Sequence, residues 1–75
     1  MEKILEILRA LHPDVNFEGA VRLVDDGILD SLDIVTLVTE LNEAFGVRIP
    51  AREILPDRFN SPEAILEMIG RLEDV

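Results

Sequence analysis

Residues 25–45 read DDGILDSLDIVTLVTELNEAF, and this stretch decides how the 75-residue chain folds. From Ile34 on, the apolar residues Ile34, Leu37, Val38, Leu41 and Phe45 recur at three- and four-residue spacing, the signature of one buried helix face. Asp30 stands where an N-cap belongs, able to accept from a free N–H of the first turn, and Asp33 has the position of the reciprocal acid in a capping box. Gly46 ends the pattern as a residue that tolerates the left-handed conformation of a helix stop. Such a helix of about 15 residues is roughly 22 Å long. Leu32 and Val35 fall off its core stripe and place apolar surface beside Ser31, on the side expected to face solvent.

Outward from this helix the chain divides simply. Ile4, Leu5, Ile7, Leu8 and Leu11 give a first amphipathic helix over about Glu2 to Leu11, closed at His12-Pro13 because a residue before proline is driven out of the helical region. From Pro13 to Leu29 no period survives. Val15, Phe17, Val21, Leu23, Ile28 and Leu29 are scattered apolar anchors, so this long connection is expected to lie over the bundle. Beyond Ile49-Pro50, Pro56 to Phe59 read as a single helical turn with proline first and Phe59 pointing inward. Ser61-Pro62-Glu63 starts a last helix whose stripe is Ile65, Leu66, Ile69 and Leu72, with Met68 at its edge. The expected fold is all-α: a small bundle of three main helices plus one short helix, with a long first loop, in a single domain over residues 1–75.

Composition sets further bounds. Hydrophobic residues make up 48% of the chain, mostly Leu, Ile and Val, which is enough for a packed core although a chain this short buries only about 60–65% of its unfolded surface. There is no cysteine, so neither disulfides nor a thiolate metal site can help. No apolar run approaches the roughly 20 residues of a membrane span, and MEKILEILRAL lacks the form of a secretory signal; a soluble, cytoplasmic protein is expected. A net charge of −9 opposes binding to nucleic acid or to an anionic membrane and favours basic protein partners. The acidity is concentrated: Asp25, Asp26, Asp30, Asp33, Glu40 and Glu43 lie between Arg22 and Arg48, with no Lys or Arg among them.

Ser31 is the only serine of the central stretch, and its surroundings exclude several chemistries. Nucleophilic catalysis needs a base within reach, but the only histidine, His12, ends the first helix, and Leu29-Asp30-Ser31-Leu32-Asp33 is no nucleophile elbow. A thin bundle also leaves little room for a dry pocket. A calcium loop with Gly27 at its sixth position would need ligands at Arg22 and Val24, so Asp25 and Asp26 are turn residues. An idle surface serine is the plain alternative. Against it, Asp30 already serves as cap, exposed apolar and acidic residues surround Ser31, and the long loop ends there. A covalently attached phosphate would lie at a helix N-terminus, where free N–H groups and the dipole favour an anion. On these grounds phosphodiester attachment and simple phosphorylation stand level.

GILDSLDIVTLVTEL resembles the phosphopantetheine attachment site of acyl carrier proteins. The D-S-L core, the helix after it, FGVRIP a turn later and the N-S-P-E start of the last helix extend the resemblance over nearly the whole chain. It implies that Ser31 carries 4′-phosphopantetheine, transferred from coenzyme A by a magnesium-dependent phosphopantetheinyl transferase, and that the arm's thiol holds an acyl or aminoacyl group as a thioester. It implies docking through Asp30, Leu32 and Asp33, extended by Val35, Thr36, Thr39, Glu40 and Glu43. The partners would be that transferase, an acyl- or aminoacyl-activating ligase or synthase, and an acceptor transferase, with the chain a non-catalytic monomer in lipid or secondary-metabolite biosynthesis.

Two features separate the chain from fatty-acid carriers. Gly27 lies four residues before the serine instead of three, and Thr36 and Asn42 occupy positions where those carriers tend to have acids. The stretch FGVRIPAREILPDRFNSPEAI is similar to that of stand-alone D-alanyl carrier proteins, although these usually have Met where this chain has Leu32. The cargo therefore stays open at this stage, with D-alanyl transfer for teichoic acid modification as the specific alternative. An unmodified acidic interaction module is the rival class.

Overall fold

The computed structural model describes residues 1–73. Its elements are α1 (Glu2–Leu11), α2 (Ser31–Phe45), a 3-10 turn (Ala51–Glu53), α3 (Pro56–Phe59) and α4 (Pro62–Glu73), joined by turns and loops. This is the expected all-α bundle with its long first connection. Helix α1 packs against α2 and α4, and α3 packs against α4.

The buried side chains form one cluster. Ile4, Leu5 and Leu8 enter it from α1, Leu37 and Leu41 from α2, Phe59 from α3, and Ile65, Met68 and Ile69 from α4. Ile34, Val38 and Phe45, the rest of the α2 stripe, pack partly buried around it.

Two expectations about the core need correction. In α4, Met68 is fully buried while Leu66 is 40% exposed. The inward stripe is Ile65, Met68, Ile69 and Leu72, and Leu66 lies about 100° round the helix from Ile65. In the first loop Val21 is exposed, because the chain turns Leu23 inward just after it.

The loop is held by one side chain in particular. Asn60, between α3 and α4, accepts the N–H of Leu23 on its carbonyl at 2.9 Å. Its Oδ1 accepts the N–H groups of Val24 and Asp25 at 2.9 and 3.1 Å, and its Nδ2 donates to Asp25 Oδ2. Leu23 is thereby fixed in the core, Leu29 is tied to it by donating its N–H to the Leu23 carbonyl at 2.9 Å, and Phe17 is buried in the same cluster. A turn at Val24–Gly27, with Gly27 at φ 78°, then aims Ile28–Asp30 at the start of α2.

Candidate functional site at the start of α2

The first turn of α2 closes as a complete capping box. Asp30 Oδ1 accepts the Asp33 N–H at 2.8 Å, and Asp33 Oδ2 accepts the Asp30 N–H at 3.1 Å. Ser31 is the first helical residue, exposed to solvent, and is not needed as a cap. Among the described residues no side chain is hydrogen-bonded to its hydroxyl. His12 turns elsewhere: its Nε2 lies 2.9 Å from Asp33 Oδ2, linking the end of α1 to this turn. The hydrogen bond from His12 and that from the Asp30 backbone hold the Asp33 carboxyl below the usual aspartate range.

Beside Ser31 lies a groove of about 520 Å³, open to solvent. One wall is α2, through Ile34, Val35, Val38 and Thr39. The other is the segment after the 3-10 turn, through Ile54, Leu55 and Pro56, with Phe59 beneath. Ile54 and Leu55 stand 42% and 46% exposed on that wall.

Glu53 fixes that second wall. Its Oε1 accepts from Arg58 Nε at 3.0 Å and from Arg71 Nη2 at 3.2 Å, tying the 3-10 turn to α3 and α4. The Arg58 hydrogen bond, aided by the Arg71 charge, lowers the Glu53 pKa. Glu53 was readable only as a member of the FGVRIPAREILPDRFNSPEAI stretch, and its two arginine partners, 5 and 18 residues further on, are brought to it by the fold.

The residues expected to dock partners do not form one uniform patch. Asp30, Val35 and Thr39 border the groove. Glu40 lines a separate depression against Glu6, Ile7, Ala10 and Leu11 of α1. Leu32, Thr36 and Glu43 are exposed, Leu32 at 76%. Asp33 is half-buried and committed to the cap and to His12.

Asn42 also has a structural task. Its Oδ1 accepts the Ile49 N–H at 3.0 Å, and its carbonyl accepts the N–H groups of Gly46 and Val47. Its neutral amide thus ties the end of α2 to the FGVRIP segment. Asn42 and Asn60 both escaped sequence reasoning as structural pins. The signal available was a lone asparagine beside a helix end, which does not reveal its partners.

Among the described residues no helix is long and apolar enough to cross a membrane. The family described as "Phosphopantetheine attachment site" matches residues 2–69. A D-alanyl carrier protein of Lactobacillus delbrueckii subsp. bulgaricus is 30% identical over 74 residues, covering 97% of this chain and 92% of that protein. The D-alanyl carrier protein of Listeria welshimeri is 31% identical, with 96% and 95% covered. D-alanyl carrier protein 1 of Lactiplantibacillus plantarum is 34% identical, with 93% and 89% covered. No solved structure matches the chain.

Proposed function

The chain belongs to the phosphopantetheine attachment site family, and from that premise we propose that Ser31 bears the arm and that the cargo is a small aminoacyl group, D-alanyl first among candidates. As a member it is a carrier protein whose cofactor is covalently attached 4′-phosphopantetheine. The observation that carries the Ser31 assignment is an exposed hydroxyl on the first residue of α2, freed from capping by Asp30 and bordered by an apolar groove. The N–H groups of that turn favour the phosphodiester that attachment creates.

In the attachment step Ser31 Oγ attacks the pantetheine-bearing phosphorus of coenzyme A. The new Oγ–P bond replaces the P–O bond to adenosine 3′,5′-bisphosphate, which leaves with the electron pair, and the serine proton passes to a base of the transferase. The chain itself need supply only a positioned hydroxyl. Loading then forms a thioester on the arm, and an acceptor enzyme removes the group. Family membership implies a phosphopantetheinyl transferase and a ligase as partners. We assign the exposed residues Leu32, Val35, Thr36, Thr39, Glu40 and Glu43, with Asp30 at the edge, to their docking. We also assign the chain a single carrier domain, non-catalytic, monomeric and cytoplasmic.

The D-alanyl cargo is supported by the relatives named above, and the groove's chemistry does not select it. A protonated amine is costly to bury against Ile34, Val38 and Phe59, so an aminoacyl end is better presented to solvent than stored inside. Intact mass after incubation with coenzyme A, magnesium and a broad-specificity transferase tests the site. One added phosphopantetheine in the wild type and none in Ser31→Ala is expected; an unmodified wild type, or a modified alanine variant, refutes it. Supplying the holo-protein to a D-alanine-activating ligase with ATP and D-alanine, against glycine and L-alanine, then tests the cargo.

A further inference from the structure

Asp33 is engaged beyond what a capping residue requires. Its Oδ2 accepts the Asp30 N–H at 3.1 Å and also meets His12 Nε2 at 2.9 Å. With Asp33 as the carboxylate, the imidazole N–H is the donor. His12 is the residue at which α1 ends, at φ −137°, and the contact spans 21 residues of sequence. It therefore joins the end of one helix to the first turn of another, at the turn that carries Ser31.

That turn needs outside support. The first N–H groups of a helix have no partner within it, and helix ends are where backbone bonds open most readily. Asp30 and Asp33 hold one another, but both sit on the same turn and can fray together. Among the described residues His12 is the only side chain from another element bonded to either carboxylate. Its ring is about one-third exposed and Asp33 about one-fifth, so the contact is partly shielded from competing water.

We infer that His12 is a positioning residue for the modification of Ser31, acting through Asp33 to hold the Asp30–Asp33 turn in the geometry from which Ser31 Oγ attacks. The inference rests on attachment at Ser31. A restraint of this kind works on the bound geometry of the nucleophile, so it acts on kcat more than on KM.

The test uses the full chain with coenzyme A, magnesium and a purified broad-specificity transferase, with kcat and KM measured for the carrier. Wild type, His12→Ala, His12→Gln, Asp33→Ala and the double alanine variant are compared, each assayed well below its own melting midpoint. His12→Ala is expected to lower kcat about tenfold, ~1.4 kcal/mol in the barrier, with KM within about twofold. Glutamine, which keeps an N–H donor, restores kcat to within about threefold. The double variant is no slower than Asp33→Ala, since His12 acts only through that carboxylate. A His12→Ala kcat equal to wild type, a glutamine as slow as alanine, or multiplying effects in the double variant overturns the inference. If the wild type is not modified at all, the Ser31 reading has failed; a modified wild type with an unaffected His12→Ala refutes only the role of His12.

Discussion

Phe59→Ala tests the packing that shapes the groove. Phe59 is 1% exposed, the only buried residue of the four-residue helix α3, and it lies at the base of the groove beside Ser31. Removing a fully buried phenylalanine side chain costs about 3–5 kcal/mol, from lost transfer energy and the cavity left behind. A 75-residue chain is expected to have about 4–11 kcal/mol of stability in all. The substitution therefore removes much of the reserve. At about 4–8 °C per kcal/mol for a domain of this size, Tm should fall by roughly 12–40 °C. Phe59→Leu, which refills most of the space, should cost only about 1–2 kcal/mol. Thermal melts followed by far-UV circular dichroism at constant pH decide the matter. A fall below about 5 °C in the alanine variant would show that α3 can peel away without disturbing the core, refuting the argument that Phe59 sets the groove wall.

Four further predictions bear on packing, charge and docking. Asp33→Lys loses both its cap bond and the His12 contact and sets a cation at the positive helix end; it should cost about 1–2 kcal/mol in a melt. Glu40→Lys should stay within about 0.5 kcal/mol of wild type while slowing association with a basic transferase in stopped-flow. In α4, Met68→Ala should cost about 2–5 kcal/mol, whereas Leu66→Ala should cost well under half as much, by urea unfolding. The Asp33 carboxyl has a depressed pKa in the fold, so its contribution is present above the ordinary aspartate value of about 3.9 and is lost as pH falls through the lower folded value. Since protonating the many other acids also relieves repulsion, the informative quantity is wild type minus Asp33→Asn. That stability difference should shrink below about pH 4.

The local rules were legible because they are short in range. A capping box closes over three residues and a buried stripe repeats every three or four, so α1, α2, their ends and the turn at Pro56 could be read directly. The exposure of Leu32 and Val35 followed from the same period. The α4 stripe was read one residue off because Leu66 and Met68 are both apolar, and only the direction from which α1 and α3 approach α4 selects between them. Val21 was misjudged because a loop without a period carries no signal of which anchors turn inward.

Sequence by itself determined the all-α bundle, the start of α2 at Ser31 and the exposure of that hydroxyl, since each rests on backbone hydrogen bonding and side-chain period within one segment. Tertiary structure alone decided what surrounds the site. The His12–Asp33 contact spans 21 residues, Asn60 reaches back 35 and 36 residues to the loop, and Glu53 gathers arginines from two helices. The groove beside Ser31 is likewise a gap between α2 and a segment some twenty residues further along. Contacts of that span depend on how the helices pack as bodies, and no pattern within a single helix records them.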